Sequence, residues 1–101
     1  MDIIMLKQIR FDWDQWNSQK NEIKHGVSAE EAESVFADRY HALFRDVIHS
    51  TASEHRYIIL GESSQMRVLM VGFTVRRDKF RIITARPASR RERKLYEEEK
   101  I

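Results

Sequence analysis

Val68-Leu69-Met70-Val71-Gly72-Phe73-Thr74-Val75, then Arg76-Arg77-Asp78-Lys79, then Phe80-Arg81-Ile82-Ile83-Thr84-Ala85: this stretch decides the fold. The first run is apolar at odd and even positions alike, which predicts a central strand covered on both faces. Arg77-Asp78 leaves room only for a tight connection, so the two strands must be antiparallel neighbours. Toward the N-terminus, Tyr57-Ile58-Ile59-Leu60 marks a further strand over 56–61, separated from the central one by a turn at 62–65. Residues 40–47 form another strand candidate, followed by a polar turn at 49–54.

Before these strands the periodicity is helical. A short strand ends over 9–13, and Asp14 then opens a helix to about 21–24, with Trp16, Lys20 and Ile23 at helical spacing. His25-Gly26 closes it, since glycine readily takes the left-handed conformation just past a helix end. Ser28-Ala29-Glu30-Glu31 reads as a capping box, the serine covering backbone N–H groups while Glu31 reaches back. Its helix runs to about residue 36, with Ala32, Val35 and Phe36 on the apolar side. After Pro87, Ser89 and Glu92 form a second box and open a last helix. The expected architecture is α+β: two N-terminal helices and a C-terminal helix packed on an antiparallel β-sheet. Period-two alternation puts Arg81 with Ile83 and Ala85, but Arg86 with Phe80, Ile82 and Thr84. The two arginines reach one site only if the strand ends or bulges before Pro87.

A chain of 101 residues fits a single domain, 1–101. Hydrophobic residues at 42% and charged residues at 34% place it among globular chains and away from disorder. With no cysteine, disulfide frameworks, thiolate zinc sites and cysteine nucleophiles are excluded. No apolar run approaches the roughly 18 residues of a membrane span. The first ten residues carry an apolar stretch without the pattern of a signal peptide. A soluble cytoplasmic domain, with no membrane association, is the expectation.

Charge is distributed unevenly. Between Arg67 and Lys94 ten basic residues face only Asp78 and Glu92, a local +8, and the rest of the chain sums to −6. Two readings stand: a surface for a polyanion, or an ordinary solvated face. The last helix favours the first. Arg90, Arg91 and Arg93 crowd its positive end and Glu97, Glu98 and Glu99 its negative end, each against the helix dipole by a few tenths of a kcal/mol, on the order of 0.3. Arginines at a helix N-terminus raise the potential where a phosphate binds.

Chemistry-bearing motifs are few. His41, His49 and His55 lack metal-ligand spacing, no G-x-S-x-G occurs, and Gly26, Gly61 and Gly72 are isolated. No metal and no cofactor is implied. What remains is His25 beside Lys24, and the arginines of the last strand and helix. RNA can be cut without metal by a base for the 2′-hydroxyl, cations for the transition state and an acid for the 5′-oxygen. Histidine suits proton transfer and arginine suits bidentate phosphate contact. By residue type alone, His25 equally serves a helix dipole, and plain nucleic-acid binding without turnover competes with catalysis.

The segments Phe11-Asp12-Trp13-Asp14, Asn17, Lys20-Asn21 and Lys24-His25-Gly26-Val27-Ser28 resemble the N-terminal signature of the BrnT toxins. The resemblance continues through Glu31-Ala32-Glu33-Ser34-Val35-Phe36, Glu54-x-Arg56-Tyr57-Ile58, Phe73-Thr74-Val75-Arg76, Arg81 to Arg86, and Arg91-Glu92-Arg93-Lys94-Leu95-Tyr96. It departs at Asn17, where many members carry lysine, and over 39–53. It implies a RelE-like fold and an endoribonuclease toxin of a type II toxin–antitoxin pair. It also implies a BrnA-like ribbon-helix-helix antitoxin, with operator DNA contacted only through the complex. On that reading His25, Arg81 and Arg86 are the expected catalytic residues. Lys24, Arg76, Lys20, Tyr57 and Arg90 are the expected RNA contacts. Tyr96 is a second stacking candidate, and Glu92 is chiefly a capping residue.

Overall fold

The computed structural model describes residues 10–100. Its elements are β1 (Arg10–Asp12), α1 (Gln15–His25), α2 (Ala29–Ser34) continuing as a 3₁₀ turn (Val35–Ala37), and β2 (Ala42–Asp46). Then come β3 (Arg56–Glu62), β4 (Val68–Arg76), β5 (Lys79–Pro87) and α3 (Arg90–Glu99). Ile9 of the expected short strand and the apolar role of the Trp16 side chain lie outside the described residues.

β2 to β5 form the antiparallel meander that their short connections require. Arg77 and Asp78 turn β4 into β5 with φ of 51° and 64°, the left-handed pair that matches strand twist in a two-residue hairpin. The sheet as a whole is mixed and not antiparallel. β1 adds to the outer edge of β5 in parallel, Phe11 opposite Phe80, giving the order β1-β5-β4-β3-β2. Short turns dictate direction only between neighbours in sequence, and β1 reaches β5 across two helices and three strands.

One face of the sheet carries Leu69, Val71, Phe73, Ile82 and Ala85 against Val27, Ala32, Val35 and Phe36 from the α2 side. Phe36 anchors it, its ring 5.1 Å from both Phe11 and Phe73. The 3₁₀ turn comes so close to β3 that a Cβ on Gly61 would sit 2.7 Å from Val35 Cγ1. The other face is apolar at one end only, where Tyr96 of α3 packs on Ala42, Leu60 and Met70. β4 is therefore covered twice over its first half, as its apolar run requires.

α1 docks differently from its expected stripe. Ile23 is 86% exposed, whereas Asn21 is buried and its Oδ1 accepts from the Ala85 N–H at 3.2 Å. The reason is the edge it covers. β1 pairs with only the first three residues of β5, so later N–H groups on that edge need polar partners. Asp14 lies 3.7 Å from Arg81, and Arg67 Nη2 donates to the Gly26 carbonyl at 2.9 Å. These contacts run α1 alongside β5 in the same direction.

The two serine boxes diverge. Ser89 and Glu92 close a complete capping box on α3. Ser28 Oγ accepts from the Glu31 N–H, but the Glu31 side chain does not reach back. It is buried instead, accepting from Arg67 Nε at 2.8 Å and Nη2 at 2.7 Å, and from Ser63 Oγ at 2.7 Å. The Arg67 hydrogen bonds hold the Glu31 carboxyl below its ordinary pKa despite burial. This clamp ties the α1–α2 junction to the β3–β4 turn.

Candidate nucleic-acid interface

Register decides which arginines share a surface. Between β4 and β5 the pairs run Arg76↔Lys79, Thr74↔Arg81 and Phe73↔Ile82, then shift so that Gly72 faces Thr84 and Met70 faces Arg86. Ile83 is the extra residue of a β-bulge, which reverses the alternation after it. Ile82 and Ala85 thus both enter the core. Arg81, Thr84 and Arg86 stand together on the opposite face with Arg76 and Lys79, and Arg56 joins them across from Thr74. This basic part of the face lies beside the apolar patch that Tyr96 covers.

Each arginine of this face rests on a carboxylate. Arg86 donates from Nη1 and Nη2 to Glu92 Oε1 and Oε2 at 2.7 and 2.9 Å. Arg81 reaches Asp12 at 3.5 Å and Asp14 at 3.7 Å. Glu54 bridges Arg56 and Arg76 at 3.1 and 3.2 Å. Burial raises the Glu92 pKa, but hydrogen bonds from Arg86 and the Ser89 N–H outweigh it and leave the carboxyl below its ordinary value. Residue type singles out the arginines in the sequence. Of their partners only Glu92 carries a local signal, its place three residues after Ser89.

Arg86 lies five positions beyond Arg81 on β5, roughly 15 Å along the strand. Their carboxylates pull them apart, Arg81 toward β1 and Arg86 toward α3. The arginines therefore form two stations on one face. Arg76, Lys79 and Arg81 line a cleft of about 350 Å³ with Arg77 and Asp12 at the hairpin end. Arg86 stands at the other, beside the exposed Arg90 at the start of α3.

His25 lies at the C-terminal end of α1, and no described contact joins it to Arg86. It follows Asn21 by one helical turn on the side of α1 that meets β5, level with the end of that strand. Half-buried, it makes no side-chain hydrogen bond among the described residues. Lys20 and Lys24 are exposed on the same helix.

The tyrosines separate. Tyr96 is 1% exposed and donates its hydroxyl to Asp38 Oδ2 at 2.6 Å, so it is a core residue and not a stacking platform. Burial first, and Asp38 second, push its phenol above the ordinary value. Tyr57 stacks on Phe73 with centroids 5.5 Å apart, on the core side of β3. Its ring also borders a cleft of about 290 Å³ with Ser53, Glu54, His55, Thr74 and Arg76. The scattered histidines stay apart. His41 Nδ1 meets the Asp38 carbonyl, His49 Nδ1 meets Asp46, and His55 Nδ1 meets Arg45.

Comparison with known proteins converges on one family. Residues 13–92 match the family model described as the ribonuclease toxin BrnT of a type II toxin–antitoxin system. The fold is similar to the crystal structure of the ribonuclease toxin BrnT of Brucella abortus, with a TM-score of 0.60 and 22% identity. That similarity covers 81% of this chain and 99% of the other. No curated protein sequence matches significantly. No described helix is long and apolar enough to cross a membrane. The family match spans the bulged strand, its arginines and His25: the chain belongs to the BrnT family of ribonuclease toxins of type II toxin–antitoxin systems.

Proposed function

We propose that this toxin is a metal-independent endoribonuclease that cuts RNA laid along the open face of β5. The observation that carries the reading is the Ile83 bulge, which turns Arg81 and Arg86 to one side of the sheet. An RNA strand following β5 meets a cation at both ends, with Thr84, small and polar, on the same face between them. His25 transfers the proton at the 2′-hydroxyl or the leaving 5′-oxygen. Arg86 stabilises the charge that builds on the scissile phosphate. Arg81, held away from Arg86, works with Arg76 on a neighbouring phosphate. This departs from a single site with both arginines on one phosphate.

Lys20, Lys24 and Arg90 add phosphate contacts around the Arg86 station, and Tyr57 offers a ring edge to a base held beside Arg76. None of these roles requires a metal ion or a cofactor. The helix arrangement is read as RelE-like. The partner is a BrnA-like ribbon-helix-helix antitoxin in the cytoplasm, through which the complex contacts operator DNA.

Expression in growing cells tests the assignment. Wild-type protein arrests growth, and His25→Ala and Arg86→Ala each relieve the arrest while remaining soluble and folded. Soluble variants that still arrest growth overturn the site. A second reading, a binding module without turnover, predicts RNA binding with no cleaved product at any enzyme concentration.

A further inference from the structure

We propose that Glu92 is a positioning residue for Arg86, holding the guanidinium so that one edge is presented to phosphate. The proposal rests on the reading that Arg86 meets the scissile phosphate. A guanidinium has two edges suited to bidentate contact, the Nη1–Nη2 end and the Nε–Nη2 side. Glu92 fills the first at 2.7 and 2.9 Å, and Nη1 also reaches the Pro87 carbonyl at 3.3 Å. The Nε–H and the second Nη2–H have no partner among the described residues. They form the edge left for an anion.

Capping alone does not call for this geometry. The box needs one acceptor for the Ser89 N–H, supplied by Glu92 Oε1 at 2.8 Å, and glutamine serves that purpose as well as glutamate. The second oxygen and the negative charge exceed what the helix requires. They hold Arg86. The carboxylate is itself pinned, because Oε1 also accepts the Ser89 backbone N–H, so Glu92 meets Arg86 from a fixed helix turn. Such preorganisation is worth most where charge develops during reaction. Glu92 is poorly suited to act as a base, since both oxygens are occupied and its pKa lies below the ordinary value.

Single-turnover cleavage of a labelled messenger transcript, with and without ribosomes, tests this on the full chain with Glu92→Gln, Arg86→Ala and the double variant. Glu92→Gln is expected to lower kcat about tenfold or more, with KM nearly unchanged and the acid limb of the pH–rate profile retained. In the Arg86→Ala background the same change is expected to cost less than about twofold. Ser89→Ala, which weakens the cap and leaves the ion pair, is expected to lower Tm and keep kcat. It reports on the cap even if Glu92→Gln fails to fold. Wild-type kcat in Glu92→Gln, an equal loss in both backgrounds, disappearance of the acid limb, or a kcat loss in Ser89→Ala each overturns the positioning role. Arg86→Ala with wild-type kcat instead overturns the reading beneath it.

Discussion

Arg81 and Arg86 share one face of β5 although they stand five positions apart, because Ile83 is passed over in the pairing with β4. Without that extra residue one guanidinium would point into the phenylalanine core. The bulge thus turns an odd spacing into a two-station cationic track.

The track predicts how RNA affinity responds to salt. Each phosphate contact on a single strand contributes a slope of about −0.7 in log K against log salt. Arg81→Gln and Arg86→Gln are each expected to reduce the slope by roughly that amount, and the double variant by about twice as much. Titrations at several salt concentrations with a non-cleavable RNA measure it. An unchanged slope for either variant removes that arginine from the track.

The clamp between Arg67 and Glu31 predicts both stability and its pH dependence. Arg67→Ala leaves a carboxylate that is 5% exposed with only Ser63, a loss of about 2 kcal/mol after allowance for the half-exposed arginine. The folded pKa of Glu31 is lowered. Its contribution is therefore complete above the ordinary value of 4.5 and fades as pH falls through the depressed one. Urea unfolding at neutral pH and near pH 3 is expected to show a smaller gap between wild type and variant in acid.

Much of this architecture follows from local pattern. The apolar run 68–75 predicts a doubly covered strand, and Ser89 with Glu92 predicts the start of α3, because both signals lie within a few residues. Long-range choices leave no such mark. Nothing near Phe11 indicates a parallel partner at Phe80. Ile23 follows helical spacing, yet α1 buries Asn21, because the neighbour it meets is a strand edge with N–H groups to satisfy. Ile82-Ile83 hides the bulge, since two adjacent isoleucines fit either face. The basic residues stand out by type, but Asp12 and Glu54 become visible as their partners only once the strands are paired.

The β4–β5 hairpin holds Arg77 and Asp78 at φ of 51° and 64°, a conformation glycine adopts without strain. Asp78→Gly is expected to raise stability by about 0.5 kcal/mol. Cleavage is expected to stay at the wild-type rate, because Asp78 faces solvent and holds no arginine of the track. Thermal unfolding and a cleavage assay check both halves.

Inhibition is expected to act on the same surface. An antitoxin that places acidic or apolar residues over Arg76, Arg81, Arg86 and Arg90 excludes RNA by bulk and by charge. Charge reversal at the exposed Arg90 and Arg91 is expected to slow association more than it speeds dissociation, and added salt to do the same. Stopped-flow binding resolves the two rates. Association indifferent to salt and to these reversals would place the antitoxin away from this surface.

The central claim is that His25 and the arginines of one strand face cut RNA without a metal ion. Cleavage of a messenger transcript in excess EDTA, with the product ends identified, tests it most directly. The account predicts undiminished cleavage that leaves 2′,3′-cyclic phosphate ends and falls sharply in Arg86→Ala. Loss of cleavage on chelation, with recovery when Mg²⁺ is returned, would contradict it.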